Sequence, residues 1–128
     1  MGMIALKIIE ISKLLKAKKI YLTPNVENFK IKYAGAGDLM SDVLAFSKED
    51  MLLITGLVSP QTITTAAVIG AKVILFVRGK KISDKVIEMA KDLDISILKT
   101  DLSMYVACSM LFNNGIKDAM GTDLGIEI

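Results

Sequence analysis

Met51-Leu-Leu-Ile-Thr-Gly-Leu57, then Ser59-Pro60-Gln61, the segment Thr62 to Gly70, and Ala71-Lys72-Val73-Ile-Leu-Phe-Val77-Arg78-Gly79 together decide how this chain folds. Two short apolar runs without polar alternation, each closed by a glycine turn and separated by one helix length, predict two buried parallel strands joined by a crossover. The intervening helix has a mechanical start. Ser59 can cap it with its hydroxyl, and Pro60 occupies the first helical position, where a missing N–H costs nothing. Ile63, Ala66, Ala67 and Gly70 give it a side small enough to lie close on a sheet.

Working outward, Ile4, Ile8, Ile11 and Leu15 share one helical face, which predicts an amphipathic helix ending near Lys16. Ile20 to Thr23 and Phe29 to Tyr33 read as strands around the turn signal Pro24-Asn25. The second alternates polar and apolar residues, which places these strands toward a sheet edge. In Ala34-Gly-Ala-Gly-Asp38-Leu-Met-Ser41-Asp42, Gly35 and Gly37 permit a sharp turn and Asp38 is placed to cap a short helix that would bury Leu39, Val43 and Phe46. Beyond the central unit, Ser83 caps a helix with the stripe Val86, Met89, Ala90 and Leu93. Ile95 to Leu98 is a further parallel strand, and Thr100-Asp101 opens a last helix that stops at Asn113-Asn114-Gly115.

Alternation of this kind predicts an α/β fold, a three-layer αβα sandwich with a mostly parallel sheet of about five strands. Residues 1–114 form its single domain, and residues 115–128, with two glycines after Gly115 and no sustained period, read as a loose tail or an arm to a partner. The composition agrees: 52% hydrophobic but only 5% aromatic residues describe an aliphatic core covered on both sheet faces.

Several classes are excluded. A net charge of +2 advertises neither nucleic acid nor an anionic membrane. The longest apolar run, Ala66 to Val77, already contains Lys72 and is too short to cross a bilayer. No signal-peptide pattern appears at Met1 to Lys7, and Leu6 breaks the myristoylation pattern that Met1-Gly2 begins. The single cysteine, Cys108, fits a reducing compartment, the cytoplasm, and reads as a packing residue. The absence of histidine removes histidine-based triads and the common zinc sites, and no metal or other cofactor is expected.

In open parallel sheets ligands sit beyond the carboxyl ends of the strands, where helix N-termini also point. The polar residues expected there are Gly35, Gly37, Asp38, Ser41 and Asp42 after one strand and Thr55, Gly56, Ser59 and Gln61 after the next. Arg78 follows a third, and Thr100, Asp101 and Ser103 the last. Strand ends and helix caps use the same residue types without any ligand. Neither the full Gly-x-Gly-x-x-Gly pattern nor the P-loop is present. The last helix is apolar almost all round, and Met104, Tyr105, Cys108, Met110, Leu111 and Phe112 form the surface expected to meet a second copy in a homodimer.

Asp38-Leu-Met-Ser-Asp42-Val-Leu-Ala45, Leu53-Ile-Thr-Gly-Leu57, Gly70-Ala71 before the strand ending Arg78-Gly-Lys80, and Leu98-Lys-Thr100 with Ser103-Met-Tyr105 resemble the DRTGG domain family over about Ile4 to Asn114. The name-giving Asp-Arg-Thr-Gly-Gly string is absent, and Gly35-Ala-Gly-Asp38 occupies the region of its glycine-rich turn. Members of that family occur alone, within some phosphotransacetylases, and between regulatory CBS domains in certain pyrophosphatases, with a fold similar to the N-terminal domain of HPr kinase/phosphorylase. The resemblance implies a non-catalytic regulatory or dimerising module. The readings it leaves are the sensing of a small anion such as a nucleotide or phospho-metabolite, a module that only binds a protein partner, or an enzyme using Asp38, Asp42, Lys80 or Asp101.

Overall fold

The computed structural model describes residues 4–121. The central stretch forms the predicted unit: β5 (Leu52–Thr55), α3 (Pro60–Ile69) and β6 (Val73–Phe76), with the two strands parallel and Leu53 opposite Ile74. Ser59 caps α3, its hydroxyl accepting from the Thr62 N–H at 3.4 Å, and Gly70 ends it in the left-handed region at φ +71°.

The other strands and α-helices in chain order are β1 (Leu6–Lys7), α1 (Ile8–Leu14), β2 (Lys18–Tyr21), β3 (Lys30–Ile31), β4 (Tyr33–Ala36), α2 (Met40–Ala45), α4 (Asp84–Asp92), β7 (Ser96–Lys99), α5 (Met104–Asn113) and β8 (Lys117–Asp118). The main sheet has six strands in the order β2-β7-β6-β5-β4-β8. Every pairing in it is parallel except β2 with β7. β1 and β3 form a separate antiparallel ribbon.

The strands lack alternation because both faces are covered. Leu53, Ile74, Phe76 and Ile97 point into one core with residues of α2, α3 and α4, whereas Leu52, Ile54, Val73, Leu75 and Leu98 point into another with α1 and α5. The architecture is the expected αβα sandwich, with six strands where about five were expected.

Local expectations fail where tertiary partners intervene. The first helix begins at Ile8 rather than Ile4. Leu6 and Lys7 pair with β3, and the Lys7 N–H donates to the Glu10 carboxylate at 2.9 Å as the helix turns in. The strand expected over Phe29 to Tyr33 is divided, with Lys30–Ile31 joining the ribbon and Tyr33–Ala36 entering the main sheet. Gly35 is therefore a strand residue. A Cβ there would come within 2.7 Å of both Met51 Cε and Met120 Cγ, so glycine serves close packing, not a turn. In α2 the inward pair is Met40 and Val43, leaving Leu39 and Phe46 exposed; Leu93, at the end of α4, is exposed as well.

The loose tail is also corrected from Ile116 to Gly121. Ile116 and Ala119 are buried, and Lys117–Asp118 adds an edge strand to β4, with the Ala119 N–H donating to the Ala34 carbonyl at 2.8 Å. The remainder of that expectation, residues 122–128, lies outside the described residues.

Ile74 is fully buried at the centre of the sheet. Ile74→Ala is expected to lower unfolding free energy by about 2–5 kcal/mol, through lost burial and the cavity left behind. Urea denaturation followed by circular dichroism measures this.

A candidate anion site on the carboxyl rim

Because β4, β5, β6 and β7 run parallel, their carboxyl ends share one rim. Asp38 lies just past β4. It does not cap α2, which starts at Met40 without a side-chain cap; its carboxylate instead crosses to the next strand. Asp38 Oδ1 accepts from the Gly56 N–H at 2.7 Å and from Thr55 Oγ1 at 3.0 Å. The same threonine oxygen accepts from the Leu57 N–H at 3.1 Å, which fixes the turn leaving β5.

Arg78 reaches this carboxylate from β6. Its Nη2 lies 3.2 Å from Asp38 Oδ2, with 39% of the Arg78 side chain and 47% of the Asp38 side chain exposed. The guanidinium lies against Gly56 so closely that a Cβ at that position would overlap it. Arg78 and Gly79 both adopt left-handed backbone, at φ +66° and +62°. Arginine in that region is uncommon and costly, whereas Gly79 takes it freely. Gly79 also gives room to Asp101, whose Oδ1 would be 2.7 Å from a Cβ there.

Asp38 is held below the usual carboxylate range, chiefly by the Gly56 N–H, with Thr55 and Arg78 adding to the effect and partial burial opposing it. A carboxylate so stabilised is a poor proton acceptor near neutral pH. Burial pushes the Cys108 thiol up, away from the reactive thiolate.

The structure thus gathers Asp38, Thr55, Gly56, Arg78 and, across Gly79, Asp101. Other expected residues have different local roles. Ser59 and Ser103 cap α3 and α5, the latter accepting from the Val106 N–H at 3.2 Å. Thr100 is buried, and its hydroxyl donates to the Leu15 carbonyl at 2.7 Å, tying β7 to the end of α1. Gly37 extends the β4–β5 pairing, donating to the Ile54 carbonyl at 3.0 Å. Gln61 is exposed on α3, and Ser41 and Asp42 are exposed on α2. No group of three or more metal-ligating side chains occurs among the described residues.

A cleft of about 510 Å³ went unread in the sequence. Ala34, Ala36 and Ile54 lie on its sheet side, Cys108, Leu111 and Phe112 on its α5 side, and Asp42, Lys117 and Met120 along its border. Small residues at Ala34 and Ala36 were its only sequence signal, and β8, which bounds it, is too short to show a period. On α5, Leu111 is buried and Met104, Cys108 and Met110 are half-buried against the core; Tyr105 and Phe112 remain 84% and 52% exposed.

No protein-family model matches the chain, and no curated protein is found to be similar. Among solved structures, it is similar to the CBS and DRTGG domains of the regulatory region of Clostridium perfringens pyrophosphatase, complexed with its activator diadenosine tetraphosphate. The likeness has a TM-score of 0.68 at 19% identity and covers 91% of this chain and 50% of that one. The two share a fold, and the present chain spans about half of that regulatory region.

The lowered Asp38 pKa has a defined sign. Its ionised form is favoured by folding, so its contribution is present above the ordinary aspartate value of 3.8 and is lost as pH falls through the lower folded value. Asp38→Asn, which lacks this titration, is expected to flatten the decline in stability below about pH 3.8. Denaturant midpoints measured against pH for both proteins check this.

Proposed function

We propose that this chain is a non-catalytic regulatory module of the DRTGG kind, cytoplasmic, which senses a small anion such as a nucleotide or phospho-metabolite at the Asp38–Arg78 notch. The observation that carries this reading is the half-exposed guanidinium of Arg78, in costly left-handed backbone and seated on Gly56. Asp38 Oδ1 is committed to Gly56 and Thr55, and Oδ2 is the oxygen that meets Arg78. An incoming phosphate or carboxylate can replace Oδ2 as the partner of the guanidinium while Asp38 stays anchored, and the fork geometry of arginine suits such an anion. The regulatory region similar in fold is complexed with a phosphate-bearing activator, which supports the same class of ligand here.

Thermal unfolding with a panel of nucleotides and phospho-metabolites tests the proposal. A ligand at 100 times its Kd contributes about 2.7 kcal/mol, a rise in Tm on the order of 10 °C for a domain of this size. Arg78→Gly is expected to abolish that rise while leaving unliganded stability within about 1 kcal/mol, because relief of the left-handed backbone offsets loss of an exposed ion pair. A rise that persists in Arg78→Gly would remove the notch as the site; no rise with any member would leave a module that binds only other proteins.

The second reading, a homodimer or protein-partner contact through α5, is favoured by the exposed pair Tyr105 and Phe112, two turns apart on one face. Light scattering on the Tyr105→Glu, Phe112→Glu double variant is expected to give half the mass of the parent. A parent that already runs as a 13.9 kDa monomer eliminates the self-association form of this reading.

A further inference from the structure

The cleft beside α5 opens on an unfinished strand edge. α2 packs into the core on one face of the sheet, through Met40 and Val43, and α5 into the core on the other, through Ala107 and Leu111. A cleft of about 510 Å³ lined both by Phe46, the residue after α2, and by Phe112 of α5 therefore lies around the outer edge of β4. That edge is only partly covered, because β8 ends at Asp118, opposite Ala34. Successive residues of a strand turn their N–H and C=O groups to opposite edges. Gly37 turns toward β5, donating to the Ile54 carbonyl at 3.0 Å, and Ala34 turns toward β8, accepting from the Ala119 N–H at 2.8 Å. Ala36, two residues beyond Ala34, faces the same way as Ala34 but past the end of β8. Among the described residues no backbone group bonds to its N–H or C=O there. Ala36 lines the cleft, so a donor and an acceptor that strands normally satisfy are presented to it.

We propose that this cleft binds a nucleobase whose edge sets an amino donor beside a ring-nitrogen acceptor, the adenine class, held by the N–H and C=O of Ala36. A ring paired with a strand edge lies in the plane of the sheet, and its two faces turn toward the two helix layers. Phe46 and Phe112 line the cleft from those layers, 54% and 52% exposed, and each can cover one face of the ring. The charged residues at the cleft are Asp42, Asp118 and Lys117, two carboxylates against one ammonium, which suits a neutral ring and disfavours phosphate. A peptide strand fits less well. Strand addition draws its affinity from a run of main-chain bonds, and Ala36 is the one residue of β4 left open on this side, whereas a planar base needs no more than one. None of Asp38, Gly56 and Arg78 lines the cleft, so the base site stands apart from the notch.

Titration of the full chain with adenosine, followed by backbone amide NMR, tests this with a probe that carries no phosphate and so leaves the notch out of the measurement. The Ala36 amide resonance is expected to shift on binding. Purine riboside, which lacks the amino donor to the Ala36 carbonyl, is expected to bind about fivefold or more weakly than adenosine. Phe46→Ala and Phe112→Ala, both at exposed positions, are each expected to weaken adenosine binding about fivefold or more while the melting temperature is kept. Val68→Ala, an exposed apolar position on α3 outside the cleft, keeps the parent affinity. Absence of adenosine binding, equal affinity for purine riboside, or full affinity in both phenylalanine variants overturns the assignment, and none of these results bears on whether Arg78 takes an anion.

Discussion

Parallel pairing of β5 with β6, continued through β4 on one side and β7 on the other, is the constraint on which the rest of this molecule depends. β5, β6 and β7 each bury side chains on both faces, so a slip of one residue would exchange Leu53 and Ile74 with Leu52 and Val73 between two separately packed cores. Register is therefore fixed strongly. With register fixed, the four carboxyl ends are fixed as well, and every loop that leaves the sheet must pass over the same rim. Asp38, Gly56 and Arg78 come from three successive crossings, and they meet because no other end of the sheet is available to them.

The rim then imposes its own conditions. Gly56 lets the Arg78 guanidinium lie flat on the turn, where a Cβ would push it aside. Asp38 has to stay ionised, because its best hydrogen bond is to a backbone N–H that gains most from a full negative charge. These two conditions act together: the amide holding Asp38 belongs to the residue on which Arg78 rests. An anion of the proposed class that drew Arg78 away from Asp38 would act on a group tied to the exit of β5.

The sequence displayed the parts of this arrangement whose physics is local. Ser59, Ser83 and Ser103 each cap the helix they precede, Gly70 ends α3, and the unbroken apolar runs are strands covered on both sides. What stayed hidden depends on partners far along the chain. Asp38 has the look of a helix cap because it stands directly before the stripe Leu39, Val43 and Phe46, but its partners are 17 and 18 residues away. Gly35 has the look of a turn because glycine gives the same local signal in a turn and in a crowded strand; Met51 and Met120 decide between them. β8, two residues long, is too brief to have a period, so the buried Ile116 and Ala119 beside it read as a tail. The residues of the candidate site were legible as members of one rim, but their partition into ligand-facing, capping and packing roles was not. Thr100, expected at the ligand edge, is committed to the Leu15 carbonyl instead.

The choice of residue at position 78 bears on whether the notch is a by-product of folding. Two consecutive left-handed residues after a strand are most easily supplied by Asn-Gly or Gly-Gly, and a long side chain at the first position costs about 1–2 kcal/mol. The compensation visible in the structure, an ion pair with both partners substantially exposed, contributes about 0–1 kcal/mol. The fold takes the same conformation at Lys16, Asp50 and Asp94, so the cost is one it bears elsewhere, and stability does not single out arginine at this turn. What arginine supplies there, and asparagine or glycine would not, is a permanent positive charge laid across Gly56 toward the tip of β4. An anion of the class proposed above would use that charge in that place.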